Sequence, residues 1–527
     1  MAFVDWGILI IYLGALILMS IVIGRKQKDQ RDYYLAGQRL KSWQVGASFV
    51  ANQVSAISLI GVPAFIAVRP GGGLKWLQYE LAVPLAMIVI IVFLIPVYWQ
   101  NRGYSIYEYL ERRFDAVTRR ILSLVFLISR SLAAGVILLT TSYVASICIR
   151  LPLWMTIVII GFIALVYTSL GGIRADIYSD ILQLITLWAG SLILIGVILN
   201  TLKGVPVTAD LDPARLDIFR FGHGPENQRD LFGFWPMLLG GFFLYISYYG
   251  CDQSQAQRLL TTPGPEGAKK ALLYNTFLRF PLVLTYSAVG ILLISFLKRY
   301  PEFHRQVSRL DPNFLMPEFL RRFVPAGLLG IIVAGVFAAT MSSLDSTINS
   351  LSAATWEDGI RPLMPRWVAG LTRRRKILVS RLITLGWGML VIGFAVHFSH
   401  SSETVVELVN KIGSAFYGPV AAVFLLGVSL RRLRSLPLLI GLAAGVMTNL
   451  SLWVFCSRSI SWMWWNAIGF GMVTGVTILL QALRGDRIGT VDLQKSAFGD
   501  NRLRLVSLLL FFFFIFLFLI LMERVFS

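Results

Sequence analysis

Cysteine and histidine are nearly missing from this chain, with three Cys and four His in 527 residues. Cys148, Cys251 and Cys456 lie too far apart for a disulfide framework or a metal-ligand motif. His397 and His400 are three apart, but no further His or Cys is near them. They read as a helix end and not as a zinc site. With so few histidines and no nucleophile–base pairing, an enzyme is not expected. Charge is scarce too: Asp, Glu, Lys and Arg make up 14% against 56% hydrophobic residues, which excludes an ordinary soluble domain. There is no phosphate-cradling loop, because Gly71-Gly72-Gly73 follows Pro70 and reads as a turn.

What the chain does have is long apolar runs. Fourteen candidates are found, at 7–24, 44–68, 77–98, 117–147, 152–170, 177–200, 232–256, 271–297, 324–350, 378–398, 404–428, 436–456, 460–482 and 503–522. About 20 residues suffice to cross a hydrocarbon core roughly 30 Å thick. The runs are too long for barrel strands, so the expectation is an all-α polytopic membrane protein with about 14 transmembrane helices. Asp5 precedes the first run and Arg25-Lys26-Gln27-Lys28 follows it, the pattern of a retained helix with its N-terminus outside and not of a signal peptide. That orientation sends most Lys and Arg of a chain carrying net charge +20 into cytoplasmic loops, although the basic 298–322 loop falls outside. Arg373-Arg374-Arg375-Lys376 and Arg431-Arg432-Leu433-Arg434 then read as anchors to the lipid bilayer, and no nucleic-acid partner is expected. The polar inserts, including 200–231 with Asp210-Leu211-Asp212-Pro213 and Gly222-His223-Gly224-Pro225, read as loops with no soluble domain among them.

Two runs are interrupted. The run 44–68 carries Asn52-Gln53-Val54-Ser55-Ala56-Ile57-Ser58, then Gly61 and Pro63; the run 232–256 carries Ser247-Tyr248-Tyr249-Gly250-Cys251-Asp252-Gln253. Numbered after the first helix, these are spans one and six. An offset of five is odd, so the second set runs inverted through the membrane. Broken helices at matching positions of an inverted repeat point to a midplane binding site in a secondary transporter. The alternative is that small and polar residues only pack helices together.

The run 337–350 places Thr340, Ser342, Ser343, Asp345, Ser346, Thr347, Asn349 and Ser350 in an otherwise apolar helix. Hydrocarbon penalises such groups unless they pair or line a cavity. A sodium ion, taking about five or six oxygens that need not be charged, suits them. Carbonyls of Ala51 and Val54 at the first break, the carbonyl of Ala339, and the hydroxyls of Ser342 and Ser343 form the candidate set. The spacing puts 339, 342 and 343 on one helical face. The plainer alternative has the serines bonding to their own helix. Asp176 reads as a helix-start partner of the dipole. Asp180, one turn deeper, is either a second such partner or joins Asp345 and Ser346 around a second cation. Arg130 lies in the third core helix and must pair with a carboxylate. That carboxylate is either a solute's or the side chain of Glu80 or Asp252, unless the arginine faces the cytoplasm instead. Gln253, in the second interruption, is a further candidate solute contact. Trp76, Tyr79, Tyr248, Tyr249, Phe416 and Tyr417 either stack on a solute and gate it or pack as ordinary core.

Across nearly its whole length the chain resembles the solute:sodium symporters. The resemblance lies in Asp32-Tyr33-Tyr34-Leu35-Ala36-Gly37, in the Gly-Gly-Ile-Arg…Tyr-Ser-Asp…Gln segment at 171–183, and in Gln257-Arg258. It continues in Met341-Ser342-Ser343…Ser346…Asn349-Ser350 and in Gly418-Pro419…Val423-Phe424-Leu425-Leu426-Gly427. It implies a leucine-transporter-type five-plus-five inverted repeat, at 44–200 and 232–428, with one extra N-terminal helix (7–24) and three extra C-terminal helices (436–522). It also implies alternating access, with sodium bound at the positions matching Ala51, Val54, Ala339, Ser342 and Ser343. In members with a second sodium, positions matching Asp180, Ser342, Asp345 and Ser346 contribute. Position 345 is Asp here where those members often have Ser, so the extra carboxylate either strengthens that site or makes it respond to protons. Ser58, Glu80, Asp252, Arg279 and Asn410 match sugar-binding positions of sodium–galactose transporters. Three depart from that pattern: Ser58 from Gln, Asp252 from Asn and Arg279 from Lys. In the sialic acid transporters an arginine on the helix of Arg130 holds the substrate carboxylate. The implied function is sodium symport of a small organic solute, an anion if Arg130 holds it, in the cytoplasmic membrane. A proton-coupled relative and a transporter-like membrane sensor are the alternatives.

Overall fold

Lipid offers the backbone no hydrogen bonds, so apolar runs of this length satisfy their own amides as helices. The computed structural model describes residues 1–24, 35–54, 56–101, 105–203, 211–221, 232–310, 312–401, 403–457, 459–486, 489–490 and 500–526. Asp32-Tyr33-Tyr34, Arg25-Lys26-Gln27-Lys28, Gly222-His223-Gly224-Pro225 and Ser55 lie outside the described residues. Among those described, eleven helices are long and apolar enough to cross a membrane, and twelve if one bent pair counts as a span. The protein is an all-helical, polytopic integral membrane protein.

The helices that matter to function run as follows. Helix α1 covers Phe3–Gly24, α2 Ser42–Gln53 and α3 Ala56–Ala67. Span α4 is Leu74–Trp99, α5 is Ala116–Ile149 and α6 is Leu153–Thr201. The interrupted α7 covers 236–251 and α8 is Gln253–Leu259. Helices α9 Pro265–Arg299, α10 Leu328–Ala354, α11 Arg373–Phe398 and α12 Val405–Ser429 complete the centre. At the periphery α13 (Ser435–Cys456) and α14 (Trp462–Leu483) pack on each other and on α12, and α15 (Arg502–Phe526) lies against α4. A two-residue antiparallel pair, Leu430–Arg431 with Gly489–Thr490, follows α12.

Two of the fourteen expected runs take a form that length and apolarity alone do not count. The run 152–170 is represented by the short apolar stretch Leu153–Leu165 within α6. The two parts of α6 pack against different neighbours. Its first part runs antiparallel to α5, since Thr156 bonds the Ser142 carbonyl and a Cβ on Gly161 would meet Leu138. Its second part runs antiparallel to α10, where Asp176 meets Ser346 and Asp180 meets Ser342. Helices α5 and α10 are themselves antiparallel, as Thr141 meets Thr340 and Ser123 meets Asp358 just beyond α10. The run 232–256 is broken up by two π turns, Pro236–Gly240 and Ser247–Cys251, after which Asp252 is extended at φ −91°, ψ 127°.

Three features hold the centre in register. Asp5 accepts from the amides of Gly327 and Gly330 at 2.7 and 2.9 Å, so its carboxylate sits on the N-terminal end of α10, where the helix dipole favours it. Gly46 lets α2 approach α9 closely, since a Cβ there would stand 2.8 Å from the Ala271 carbonyl oxygen. The carbonyls loosened in the second break are taken by phenols: Tyr98 donates to Gly250 and Tyr107 to Cys251 at 3.4 Å.

Candidate functional site

The first break lies where α2 meets α3. Val54 leaves the helix at φ −86°, ψ 87°, and the two helices bend by 52°. Pro63 lies inside α3, where it removes an amide from the ladder and loosens that helix further. A bend of this kind frees carbonyls near its vertex, as expected of Ala51 and Val54. Ala51, Val54, Ala339, Ser342 and Ser343 are all buried. Ser343 is fully buried and its Oγ has no hydrogen-bond partner in the protein. Its hydroxyl therefore does not bond back to its own helix, and it waits for something from outside. Ser342 behaves differently, donating to Asp180.

Asp180 does not stand alone with Ser346 and Asp345. It accepts from Ser48 and Ser342, and Arg258 reaches it at 3.2 Å. Asp176 is buried rather than interfacial, because Arg258 holds it at 2.9 Å and Ser346 donates to both its oxygens at 2.9 and 2.7 Å. Arg258 also donates to Ser48 at 2.9 Å and to the Ser254 carbonyl at 3.0 Å. One guanidinium thus ties α2, α6, α8 and α10 together. Asp345 is buried on another side of α10 and accepts from Asn349 at 2.8 Å. A water-sized cavity of about 10 Å³ adjoins Asp176, Arg258, Ser346 and Gln257.

On the other side of the break is a cavity of about 150 Å³ lined by Asn52, Ser58, Glu80, Arg130, Arg279 and Asn410, among others. A space of that size accommodates a molecule about as large as benzene. Trp76, Tyr79, Tyr245, Tyr248 and Tyr417 supply aromatic walls. Arg279 is fully committed: it grips Glu80 through Nε at 2.5 Å and Nη2 at 2.6 Å, and donates to Tyr245 and Tyr249 at 2.7 and 3.1 Å. Arg130 donates to the Tyr248 and Tyr417 hydroxyls but is only loosely paired with a carboxylate. Its Nε stands 3.7 Å from Asp252 Oδ2 and has no hydrogen-bond partner, and its guanidinium lies 5.4 Å from the Tyr248 ring centroid. Asp252 meanwhile caps α8, accepting from the Ser254 amide at 2.8 Å. Asn410 lines the cavity but donates to Val406 of its own helix at 2.8 Å. Gln253 points elsewhere, its carbonyl accepting from the Ile106 amide at 3.0 Å.

Ion pairs and hydrogen bonds tie helix ends together toward both faces. Toward the face bearing the N-terminus, Arg69 after α3 chelates Glu407 of α12 with a shortest distance of 2.6 Å. Arg215 donates to the Ile66 and Arg69 carbonyls at 2.9 and 3.2 Å, capping α3. Toward the opposite face, Arg119 bonds Asp358 at 2.7 Å while Ser105 and Ser123 each donate to it at 3.1 Å.

Sequence reasoning missed three contributors. Arg258 was noted only within a motif, and Asp176 was read as a surface dipole partner. Asn52 lines the cavity between Ala51 and Val54 with both amide atoms buried and unpartnered. The signal available for Asn52 was a carboxamide placed at a predicted helix break; for Arg258 it was a cation facing two carboxylates four residues apart.

Comparison with known proteins places the chain as a whole. A family model described as the sodium:solute symporter family matches residues 33–445. A sodium/sialic acid symporter of Aliivibrio fischeri is 26% identical over 89% of this chain and 91% of its own length. The human sodium/iodide cotransporter is 27% identical, covering 85% of this chain and 69% of its own. The human sodium-coupled monocarboxylate transporter 1 is 27% identical, covering 86% and 73%. Among solved structures, a substrate-bound outward-open Na+-coupled sialic acid symporter superposes with TM-score 0.78 at 22% identity, covering 93% of this chain and all of that one. That likeness speaks for the fold.

Proposed function

The chain belongs to the sodium:solute symporter family, and from that premise we propose that it imports a small organic anion, driven by sodium and by alternating access. Sodium coupling and a transport role come with the family. The solute class, the site residues and the orientation are our reading. Ten of fourteen helices form a five-plus-five inverted repeat, 44–200 and 232–428, in the cytoplasmic membrane, with the N-terminus outside. Sodium binds the Ala51, Val54 and Ala339 carbonyls and the Ser342 and Ser343 hydroxyls, and so favours the outward-open state. The solute then enters the cavity beside the break. The bundle rocks, and sodium leaves inward past Asp180, down its gradient. Asp180 and Ser346, with Asp345 nearby, remain candidates for a second cation.

The observation that carries this reading is the unpartnered, fully buried Ser343 hydroxyl in the middle of α10. An unsatisfied buried polar group costs about 1–3 kcal/mol and calls for a ligand to complete it. An anionic solute is favoured by Arg130, which lines the cavity with phenol partners and a carboxylate no nearer than 3.7 Å at Nε, while Arg279 already grips Glu80 with two nitrogens. Sialic acid, iodide and monocarboxylate, the cargoes named for the relatives, are all anions.

The test is a thermal-shift screen of small carboxylates, sugars and amino acids with and without sodium, followed by uptake of any hit into proteoliposomes. Carboxylates should stabilise the protein only with sodium, and uptake should require an inward sodium gradient. Uptake that proceeds equally in potassium at fixed pH would sink the proposal.

A further inference from the structure

Gln183 lies on α6 in the centre of the molecule, 1% exposed, with neither Oε1 nor Nε2 hydrogen-bonded within the protein. Helix register identifies what it faces. Asp176 meets Ser346 and Asp180 meets Ser342, so each step along α6 is matched by an opposite step along α10. Farther on, a Cβ on Gly335 would stand 3.3 Å from the Thr186 methyl, and one on Gly190 would stand 3.7 Å from Ile332. Gln183 is bracketed by these pairs. It is seven residues beyond Asp176, nearly eclipsed on the same helical face, and Ala339 is seven residues before Ser346. The register therefore sets Gln183 level with Ala339. On α2, Ser48 donates to Asp180, and Ala51 lies one turn farther on in the same direction.

Gln183 is thus level with two of the three residues whose carbonyls were assigned to sodium, Ala51 and Ala339, and Ser343 is one turn from Ala339 along α10. Three carbonyls and two hydroxyls supply five oxygens, and sodium takes about five or six. We infer that the Gln183 side-chain oxygen is the sixth ligand of the sodium ion. This rests on the sodium-site reading above and extends it to a third helix, α6. A neutral amide in that position supplies an oxygen without adding a third carboxylate beside Asp176 and Asp180, and it sets how tightly the cage closes around ions of different radius.

The experiment uses the purified full chain and sodium alone as the probe, with choline keeping the ionic strength constant and lithium as the competitor. Apparent affinities are read from the cation-dependent thermal shift. Gln183→Leu should weaken sodium at least tenfold and change the sodium-to-lithium ratio. Gln183→Glu should keep sodium affinity within a few-fold or raise it, and make it rise with pH as the new carboxyl ionises. Ser343→Ala, measured alongside, tests the underlying site. Wild-type affinity and ion ratio in Gln183→Leu, with sodium lost in Ser343→Ala, would overturn the Gln183 assignment alone. No change in either variant would overturn the site and the assignment together. If Gln183→Leu does not fold, Gln183→Glu decides: a wild-type ion ratio and pH-independent affinity would refute the inference.

Discussion

Arg130 of α5 and Asp252 in the break between α7 and α8 face each other across 3.7 Å, near enough to balance charge and too far for a hydrogen bond at Nε. A bidentate carboxylate from outside would complete that guanidinium in a way Asp252 does not. Hydrogen bonds to charged groups contribute about 1.5–3 kcal/mol, or roughly ten- to a hundredfold in affinity. Arg130→Gln should therefore lose that much affinity for carboxylate solutes while sodium alone binds within about twofold of wild type. Arg130→Lys should not rescue it, because an ammonium lacks the fork. Calorimetric titration of the two variants checks this. Undiminished carboxylate binding would mean that Arg130 serves only Asp252.

Ser343→Ala offers a second outcome, one that separates stability from function. Its hydroxyl has no partner to lose, so removing it should leave the sodium-free melting temperature unchanged or slightly higher. The sodium-dependent rise should fall away, with affinity down about tenfold. A drop in sodium-free stability would reveal a protein partner for the hydroxyl and contradict the geometry.

Arg258→Met should behave in the opposite way. It leaves Asp176 and Asp180 buried without their cation, a loss of about 3–5 kcal/mol when one side of a buried pair is removed. The melting temperature in detergent should fall with or without sodium. Adding Asp176→Asn to that background should recover part of the loss, since one fewer carboxylate is stranded. Failure to recover any would place the damage in packing.

The clasp between Arg69 and Glu407 is partly exposed, 22% and 6% for the two side chains, so its worth is discounted by solvent to about 1 kcal/mol. Breaking it with Glu407→Gln should shift the population toward states open on the N-terminal face by roughly fivefold. A cysteine at Ser58, in a background without Cys456, reports this through its labelling rate with an impermeant maleimide. An unchanged rate would show that the clasp does not restrain opening.

Much of the architecture was legible in the chain because its causes are local. Apolar length announces a span, and polar residues beside Gly and Pro announce a break; both Val54 and 247–252 bear this out. Pairings through space were not legible. Glu80 and Arg279 are 199 residues apart, and Asp176 and Arg258 are 82 apart, so nothing in either neighbourhood names the partner. Asp176 illustrates the cost of reading locally. Its position one turn from Asp180 suggested a helix start, whereas the helix continues through it and a distant arginine neutralises it. Gln253 likewise follows the break in sequence, but its side chain turns to the Ile106 amide and away from the cavity.

The embrace of Glu80 by Arg279 has a consequence for anyone wishing to redirect the protein to a new cargo. Removing one member strands a charge in a dry interior, whereas replacing both with well-packed neutral residues is often close to neutral. Libraries that vary one position at a time will therefore score Glu80 and Arg279 as untouchable and mistake mutual dependence for a direct grip on the cargo. Directed evolution of the cavity should randomise the two codons together.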